Sequence, residues 1–323
     1  MNIRHFEQQD ITAIVNLWNT SVVPLSIFKA FTEESFKAKF VANPCFDPEG
    51  FKLMFEGEKL IAFGHAIVNS NEAAPGFITC IAVEKAYQRQ GYGTKMLAEL
   101  ESYLKAKGKT LIRLYFGSPI NLEWIIPGTV SCDHPGAPAV AYNTPYYFLL
   151  LANGYNTNGQ LDGYYLDIRN YDIPAKVTAK EEENEKEGYH ITIYDGAKHH
   201  GFPELFDALK NPGWHDAVKN NLAKENPSPM LIAEKDGRIL GWTGPMYTQD
   251  SGRGYFAGIG VHPETQGLGL GKSLFCHLCY QSRKNGATFM SLFTGSDNPA
   301  RNIYLYAGFK VRQSFAIMRK ELK

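Results

Sequence analysis

The stretch Thr265–Phe275, TQGLGLGKSLF, decides how this chain is interpreted. It contains Gly271-Lys272-Ser273, the ending of the phosphate loop of nucleotide-hydrolysing proteins, in which a glycine and four further residues come first. Counting back from Gly271 places Gln266 where that glycine should stand, so the loop is one residue short. The sequence also lacks a convincing apolar strand ending in an aspartate that would hold magnesium. A nucleoside triphosphate is therefore disfavoured, but glycines before a helix still free backbone N–H groups to face an anion.

The same pattern occurs a second time, upstream. The stretch YQRQGYGTKML (Tyr87–Leu97) repeats the order Gln-x-x-Gly-x-Gly followed by an amphipathic helical pattern, with Gly91 aligned on Gly269. An apolar strand ending in valine precedes each copy: FITCIAV ends at Val83 and YFAGIGV at Val261. Because an internal repeat implies one structural unit used twice, the chain is predicted to be a tandem duplication.

The agreement extends further upstream in both copies. Each has a predicted hairpin, turning at Glu56-Gly57 in the first copy and at Asp236-Gly237 in the second. Each opens with a short strand, NIRHF or YHITIYD, followed by two helical segments. The predicted fold class is α/β of the α+β type: two domains, each a mixed, mostly antiparallel twisted sheet flanked by helices.

A charged segment separates the copies. Residues Glu181 to Glu187 read EEENEKE and show no apolar periodicity, which is typical of a solvated connection. We therefore expect an N-terminal domain over 1–170, a charged linker over 171–187 and a C-terminal domain over 188–323.

Composition limits the classes of partner. The 323 residues carry 33 Lys+Arg and 33 Asp+Glu, so the balanced charge favours neither nucleic acid nor an acidic membrane surface. The N-terminus has no apolar signal core and no stretch approaches the length of a membrane span, so a cytoplasmic location is expected. The CHLC stretch, Cys276–Cys279, has zinc-like spacing without a second pair nearby, and a core role is expected there, with no metal.

A strand ending in valine and a Gln/Arg-x-x-Gly-x-Gly loop opening a helix together resemble the acetyl-CoA-binding signature of the GNAT superfamily of N-acetyltransferases. The C-terminal stretch DNPARNIYLYAGFKV resembles a second pattern of that family. The residues in register with it are Ala300, Tyr304, Gly308 and Phe309. The resemblance covers nearly all of 188–323 and the first half up to about Gly117, and the tandem arrangement is similar to mycothiol synthase and related two-domain acyltransferases.

The resemblance implies acetyl-CoA as the acyl donor. Glycine-rich loops would wrap its pyrophosphate with backbone amides, and the strands ahead of them would pair with the pantetheine arm. The coenzyme-binding residues implied in the first copy are Ile81, Val83, Arg89, Gln90, Gly91, Tyr92, Gly93 and Thr94. Those implied in the second copy are Ile259, Val261, Gly267, Leu268, Gly269, Leu270, Gly271, Lys272 and Asn298, although the register fits Asp297 as well as Asn298.

The resemblance also implies direct attack of an amine on the thioester, with Tyr304 as the acid that protonates the leaving thiolate. Aligning Gly154-Tyr155 on Gly308-Phe309 puts Leu150 at the position of Tyr304, and leucine cannot donate a proton. We therefore expect the C-terminal domain to be active, while the N-terminal domain binds coenzyme without transfer or shapes the acceptor site. Tyr146 or Tyr147 as a substitute for the missing tyrosine remains open.

The residues indicate only that the acceptor is a small-molecule amine or a peptide. They do not indicate the oligomeric state. No general base stands out, since only His262, Glu264 and Asp297 follow the second copy's strands. Asp133 and His134 are either a polar pair that reaches a ligand or part of a loop-stabilising turn. An acyl-CoA sensor without catalysis is the alternative function.

Overall fold

The structure, a computed structural model, describes residues 1–322. Residue contacts divide it into two compact units. Unit 1 comprises Met1–Gly163 together with the described residues from Arg312 onward, and unit 2 comprises Tyr164–Val311. These units differ from the expected ranges 1–170 and 188–323, because the chain leaves the first unit and returns to it with its last strand.

The first part of the chain has the predicted order of strand, two helices, hairpin, strand, helix and strand. Its strands are β1 (Asn2–His5), β2 (Phe51–Glu56), β3 (Lys59–Val68), β4 (Gly76–Val83), β5 (Leu111–Leu114), β6 (Trp124–Ile125), β7 (Asp133–His134), β8 (Val140–Ala141) and β9 (Asn156–Asp167). Its helices are α1 (Ile11–Ser21), α2 (Glu33–Phe36, continued by a π-helical turn), α3 (Tyr92–Ala106) and α4 (Pro145–Ala152).

The second part repeats that order. Its helices are α5 (Ala175–Lys186), α6 (Phe202–Leu209), α7 (Pro212–Leu222), α8 (Leu270–Lys284) and α9 (Arg301–Tyr306). Its strands are β10 (His190–Ile193), β11 (Leu231–Lys235), β12 (Arg238–Gly244), β13 (Tyr247–Thr248), β14 (Arg253–Tyr255), β15 (Gly258–Val261), β16 (Phe289–Gly295) and β17 (Lys310–Glu321).

Mixed, mostly antiparallel sheets form in both units, which confirms the predicted fold class. In unit 1 the order is β1-β2-β3-β4-β5-β17, antiparallel except for the parallel contact of β4 with β5. In unit 2, β10-β11-β12-β15 are antiparallel, and β14 lies parallel to β16. Both predicted hairpins form, β2–β3 and β11–β12. The second turns through Asp236 and Gly237, both with positive φ as a tight hairpin turn requires.

Helices cover both faces of the unit 1 sheet. On one face, α3 buries Met96, Leu100 and Leu104, which recur every four residues as a helix packed on a sheet requires. On the other face, the aromatic side chains of Trp18 and Phe36 pack over β2 and β3. The apolar faces of the strands are therefore enclosed on both sides near the site described below.

The segment 171–187 departs from the sequence expectation of a solvated linker. It contains helix α5, in which Val177 and Asn184 are buried. The Asn184 side-chain amide donates a hydrogen bond to the Leu268 carbonyl oxygen at 2.9 Å, and Glu181 contacts the His277 ring at 3.1 Å. Val177 and Asn184 are seven residues apart and so lie on the same helix face. Because one of the two is a polar asparagine, the sequence shows no apolar periodicity there. Among the helices of residues 1–322, none is long and apolar enough to cross a membrane.

Candidate functional site

The strand before each glycine loop separates from its parallel neighbour at the same point in both units. In unit 1, β4 pairs with β5 only at Gly76 and Ile112. In unit 2 the equivalent segment is divided into β14, which pairs with β16 at Arg253–Phe289 and Gly254–Met290, and β15, which leads to the loop. The sequence offset that relates Gly91 to Gly269 also relates Gly76 to Gly254 and Ile112 to Met290. The duplication therefore preserves both the loop and the separation of the strands.

Glycine allows close packing at the point of separation in unit 1. A Cβ on Gly76 would lie 2.8 Å from Leu104 Cδ2 of α3, closer than real Cβ contacts allow. At the equivalent Gly254, a Cβ would lie 3.1 Å from Ser282 Cβ of α8. The helix that follows each loop thus packs directly on the strand backbone where the neighbouring strands part.

In unit 1 the separated strands open a cavity of about 670 Å³. This volume lies within the range of small-molecule sites. One wall comes from β4 and β5, and one end comes from the glycine loop. The rest comes from the end of α1 and the residues after it, the segment after β5, the residues around β8, and helix α4. Of the residues predicted to bind coenzyme, the cavity is lined by Ile81, Val83, Arg89, Gly91, Gly93 and Thr94.

The loop at the end of this cavity has two residues in the left-handed region. Gly91 has φ 87° and caps the N-terminus of α3, and Arg89 has φ 61°. A Cβ on Gly91 would meet nothing within 4 Å, so the space beside it is open. The first N–H groups of α3 have no acceptor inside the helix, which leaves them available to an anion. The other two residues predicted to bind coenzyme make local contacts instead. The Gln90 side-chain amide donates to the Ala86 carbonyl oxygen, and the Tyr92 ring packs against Tyr87.

The second loop repeats this backbone in unit 2. Gly267 has φ 91° and Gly269 has φ 77°, at the positions of Arg89 and Gly91. Helix α5 lies against this loop, since Asn184 bonds to Leu268 and Lys180 Cγ comes within 3.5 Å of a Cβ placed on Gly269. Ile259, Leu270 and Gly271 are buried. Lys272 is exposed, and its Nζ lies 4.6 Å from the centroid of the Tyr306 ring.

A β-bulge interrupts β4 within the cavity wall. His65 pairs with Cys80 and Ala66 with Ile78, so Thr79 is an extra residue on β4. The Thr79 hydroxyl lies 3.0 Å from His65 Nδ1, and Thr79 lines the cavity. The His65 ring is fully buried, and this burial lowers its pKa to about 3. It is therefore a neutral ring that fixes the bulge rather than a cationic group.

Tyr146 is the tyrosine that reaches the unit 1 cavity. It lines the cavity from α4, and its hydroxyl lies 3.4 Å from the Ile78 carbonyl oxygen. Burial raises its pKa well above that of an exposed tyrosine, so the phenol keeps its proton at neutral pH. Tyr147 instead packs its ring against Tyr142 and Phe148. Leu150, aligned with Tyr304, lies fully buried in the core beneath.

Tyr304 occupies the corresponding helix of unit 2, α9. Its ring is 7% exposed and packs against Phe275 at 4.9 Å and Tyr164 at 5.8 Å between ring centroids. Burial raises its pKa to about 12, so it too is a neutral phenol. Asn298 precedes this helix, and its side chain donates to Thr294 and accepts from the Ala300 N–H. Both polar ends of the Asn298 side chain are thus bonded within the loop.

The charges in the unit 1 cavity are all positive. Among the residues that line it in the described chain there is no aspartate, glutamate, lysine or histidine, and the charged members are Arg89 and Arg113. The lining also contains Cys80, but burial raises the pKa of its thiol to about 12, which makes it a poor nucleophile. No carboxylate among the described lining residues is therefore placed to act as a base in this cavity.

Two other sequence candidates have local structural roles. Asp133 forms an ion pair with Lys29 at 2.7 Å, and His134 bonds to Gly136 two residues away, so this pair stabilises the loop that contains β6 and β7. Cys276 and Cys279 are buried in α8. Within residues 1–322, no group of three or more His, Cys, Asp or Glu is arranged to hold a metal ion.

Sequence reasoning did not identify Arg113 or Thr79 as site residues. Arg113 lies inside the apolar strand TLIRLYF. A single charged residue in an apolar strand is the sequence feature that could have marked it as a site residue. Thr79 carried no signal of its own, because a bulge depends on the register with the neighbouring strand.

Comparisons with known proteins agree with this architecture. The chain is 34% identical over 87 residues to the mycothiol acetyltransferase of Thermomonospora curvata, a match that covers 26% of this chain and 28% of that protein. A GCN5-related glucosamine N-acetyltransferase region in a fungal multi-domain GH3 beta-N-acetylglucosaminidase has the same fold with a TM-score of 0.68 and 16% identity, over 99% of this chain and 38% of that one. A tandem GNAT protein from the clavulanic acid biosynthesis pathway aligns with a TM-score of 0.59 and 13% identity, over 99% of this chain and 98% of that one.

One family model matches most of the chain. The sequence model described as the acetyltransferase (GNAT) family matches residues 14–123 and again 191–309. The two matched ranges contain the two glycine loops and the strands that lead into them. The chain belongs to the GNAT family of acetyltransferases, with the family's domain present twice.

Proposed function

We propose that this protein is an acetyl-CoA-dependent N-acetyltransferase that holds its donor in the cavity of unit 1. The observation that carries the proposal is the separation of β4 from β5 after Gly76, which opens a cavity ending at the glycine loop. The loop N–H groups suit a pyrophosphate, and the free edge of β4 suits the amides of the pantetheine arm. The acceptor would be an amine, either a small molecule or a peptide.

Transfer requires one bond to form and one to break. The amine nitrogen attacks the thioester carbonyl carbon, the C–N bond forms as the C–S bond breaks, and the amine loses a proton to water. The leaving thiolate takes a proton from a phenol, which water then restores. We propose Tyr146 for this role in unit 1 and Tyr304 in unit 2, since both are buried neutral phenols on equivalent helices.

Donor binding in each half is tested with matched charge reversals. Thr94 and Lys272 are the equivalent, exposed third residues of α3 and α8, so Thr94→Glu and Lys272→Glu place a carboxylate beside each loop without filling the core. Calorimetric titration of acetyl-CoA should show a Kd at least ~10-fold weaker for Thr94→Glu, which corresponds to about 1.4 kcal/mol. Thr94→Gln and Lys272→Gln are the neutral controls. A wild-type protein that binds no acetyl-CoA would refute the proposal.

The reacting half is tested by removing one hydroxyl at a time. Release of free CoA thiol is measured with a panel of amines for Tyr146→Phe and Tyr304→Phe, with Tyr147→Phe and Tyr306→Phe as neighbouring controls. We expect kcat to fall roughly 100-fold or more for the tyrosine that acts as the acid. If only Tyr304→Phe has this effect, unit 2 is the catalytic half. Tight acetyl-CoA binding without transfer to any amine would favour the sensor alternative.

A further inference from the structure

We propose that the unit 1 cavity accepts an amine that also carries a carboxylate, and that Arg113 binds this carboxylate. The proposal rests on the proposed function, because it assigns the acceptor end of the same cavity. It names a substrate class and a specificity-determining residue.

The strand register places Arg113 at the opposite end of the cavity from the glycine loop. Gly76 begins β4 and pairs with Ile112, the residue before Arg113. From that point β4 runs to Val83 and on to the loop that contains Arg89. The phosphates of the donor would lie at the Arg89 end. Arg113 is therefore placed to contact the second substrate, the acceptor amine.

Arg113 has no anionic partner in the part of the chain that the structure describes. Its guanidinium lies 4.2 Å from the centroid of the Tyr115 ring, and its Nε is buried with no hydrogen-bond acceptor. Arg319 is the residue paired with Arg113 on β17, so its cross-strand partner is also positive. Like charges in a cross-strand pair are destabilising, and a half-buried cation without a partner is costly.

The surroundings of Arg113 define the rest of the ligand. No carboxylate lines the cavity, so the missing anion has to come from a bound molecule. The Tyr115 ring that Arg113 contacts packs against an apolar cluster that contributes Trp18, Ile120 and Leu122 to the lining. A planar guanidinium pairs with a carboxylate through two parallel hydrogen bonds. These features fit an amine with a short apolar body and a carboxylate.

The test measures binding of a carboxylate against its neutral isostere. Calorimetry compares 3-phenylpropanoate with 3-phenylpropanamide on the full-length protein saturated with CoA, so that the glycine loop is occupied. We expect the carboxylate to bind at least ~10-fold more tightly, since charge-assisted hydrogen bonds are the strong ones. Arg113→Met should remove this preference, and Arg113→Lys should keep part of it. Arg319→Met is the matched control and should leave the preference unchanged.

Each outcome decides the proposal. Equal affinities in the wild type, binding of neither probe, or a preference that survives in Arg113→Met would overturn it. Circular dichroism and the CoA affinity of Arg113→Met show whether that variant is folded. If CoA does not bind, the proposed function fails, and the same pair of probes on the free protein still tests Arg113 separately.

Discussion

Gly258 shows how one residue fixes the packing of unit 2. A Cβ at this position would lie 2.2 Å from Nε1 of Trp214 and 2.5 Å from its Cε2. The indole of α7 therefore rests directly on the backbone of β15, the strand that leads to the second loop. Any larger residue would displace either the tryptophan or the strand.

We predict that Gly258→Ala lowers the free energy of unfolding by ~1–3 kcal/mol, the usual cost of overpacking a well-packed site. The control is Gly213→Ala, next to the same tryptophan but exposed in the first turn of α7, where alanine should be neutral or stabilising by roughly 0.5–1 kcal/mol. Urea unfolding measures both. Equal stability of Gly258→Ala and wild type would contradict the packing account.

His65 gives unit 1 a pH-dependent stability. Its folded pKa, about 3, is below the unfolded value of 6.5, because burial disfavours the charged ring. As pH falls, the His65 ring is protonated in the unfolded chain before it is protonated in the folded protein. Its contribution to the free energy of unfolding is therefore full above about pH 6.5 and is lost as pH falls from there towards pH 3. Between these values the slope should approach ~1.4 kcal/mol per pH unit.

Unfolding free energies of wild type and His65→Gln, measured from pH 7 to pH 4.5, check this prediction. Both proteins carry the same carboxylates, so their protonation largely cancels in the difference between the two profiles. The variant should show a shallower slope, and its Thr79 hydroxyl should lose the present hydrogen bond. Parallel pH profiles for the two proteins would mean that His65 is not the titrating group.

At the scale of elements, prediction succeeded where the determinant is local. The hairpin turn at Asp236-Gly237 and the glycine loops were identified because their backbone conformations depend on the residues at those positions. Helix α5 was missed because its stability comes from contacts with α8 and the second loop, not from its own pattern. The same limit applies to Arg113 and Thr79, whose positions depend on how far neighbouring strands separate.

Helix α5 is expected to support the second glycine loop. Asn184→Ala removes the donor to the Leu268 carbonyl and leaves a partly buried acceptor unpaired, which should cost ~1–3 kcal/mol. Glu182→Ala, an exposed position on the same helix, should change stability by less than about 0.5 kcal/mol. Chemical denaturation of both variants measures the difference. Similar losses in the two would show that the helix, rather than this hydrogen bond, is what matters.

At the scale of the whole molecule, the last strand belongs to the first unit. Residues from Arg312 onward lie in unit 1, where β17 pairs with β5 and buries Phe315, Ala316 and Met318. The sequence repeat did not predict this return. A repeat predicts two similar units, but it does not predict which of the two sheets the last strand joins.

We predict that residues 1–163 alone do not form a stable sheet, since β5 would be left as an open apolar edge. Joining residues 310–322 to that fragment through a Gly/Ser-rich linker should restore a cooperative thermal transition. A linked strand with Phe315 and Met318 replaced by serine is the control and should not. A fragment 1–163 that folds cooperatively by itself would contradict the assignment.

The return of β17 has a consequence for synthesis on the ribosome. The chain emerges from its N-terminus, yet the first unit needs residues made after the entire second unit. At ~5–20 residues per second, the early strands wait on the order of ten seconds or longer for their last neighbour. During that interval, β5 is exposed to other nascent chains and to chaperones. The half made first is therefore expected to be the half completed last.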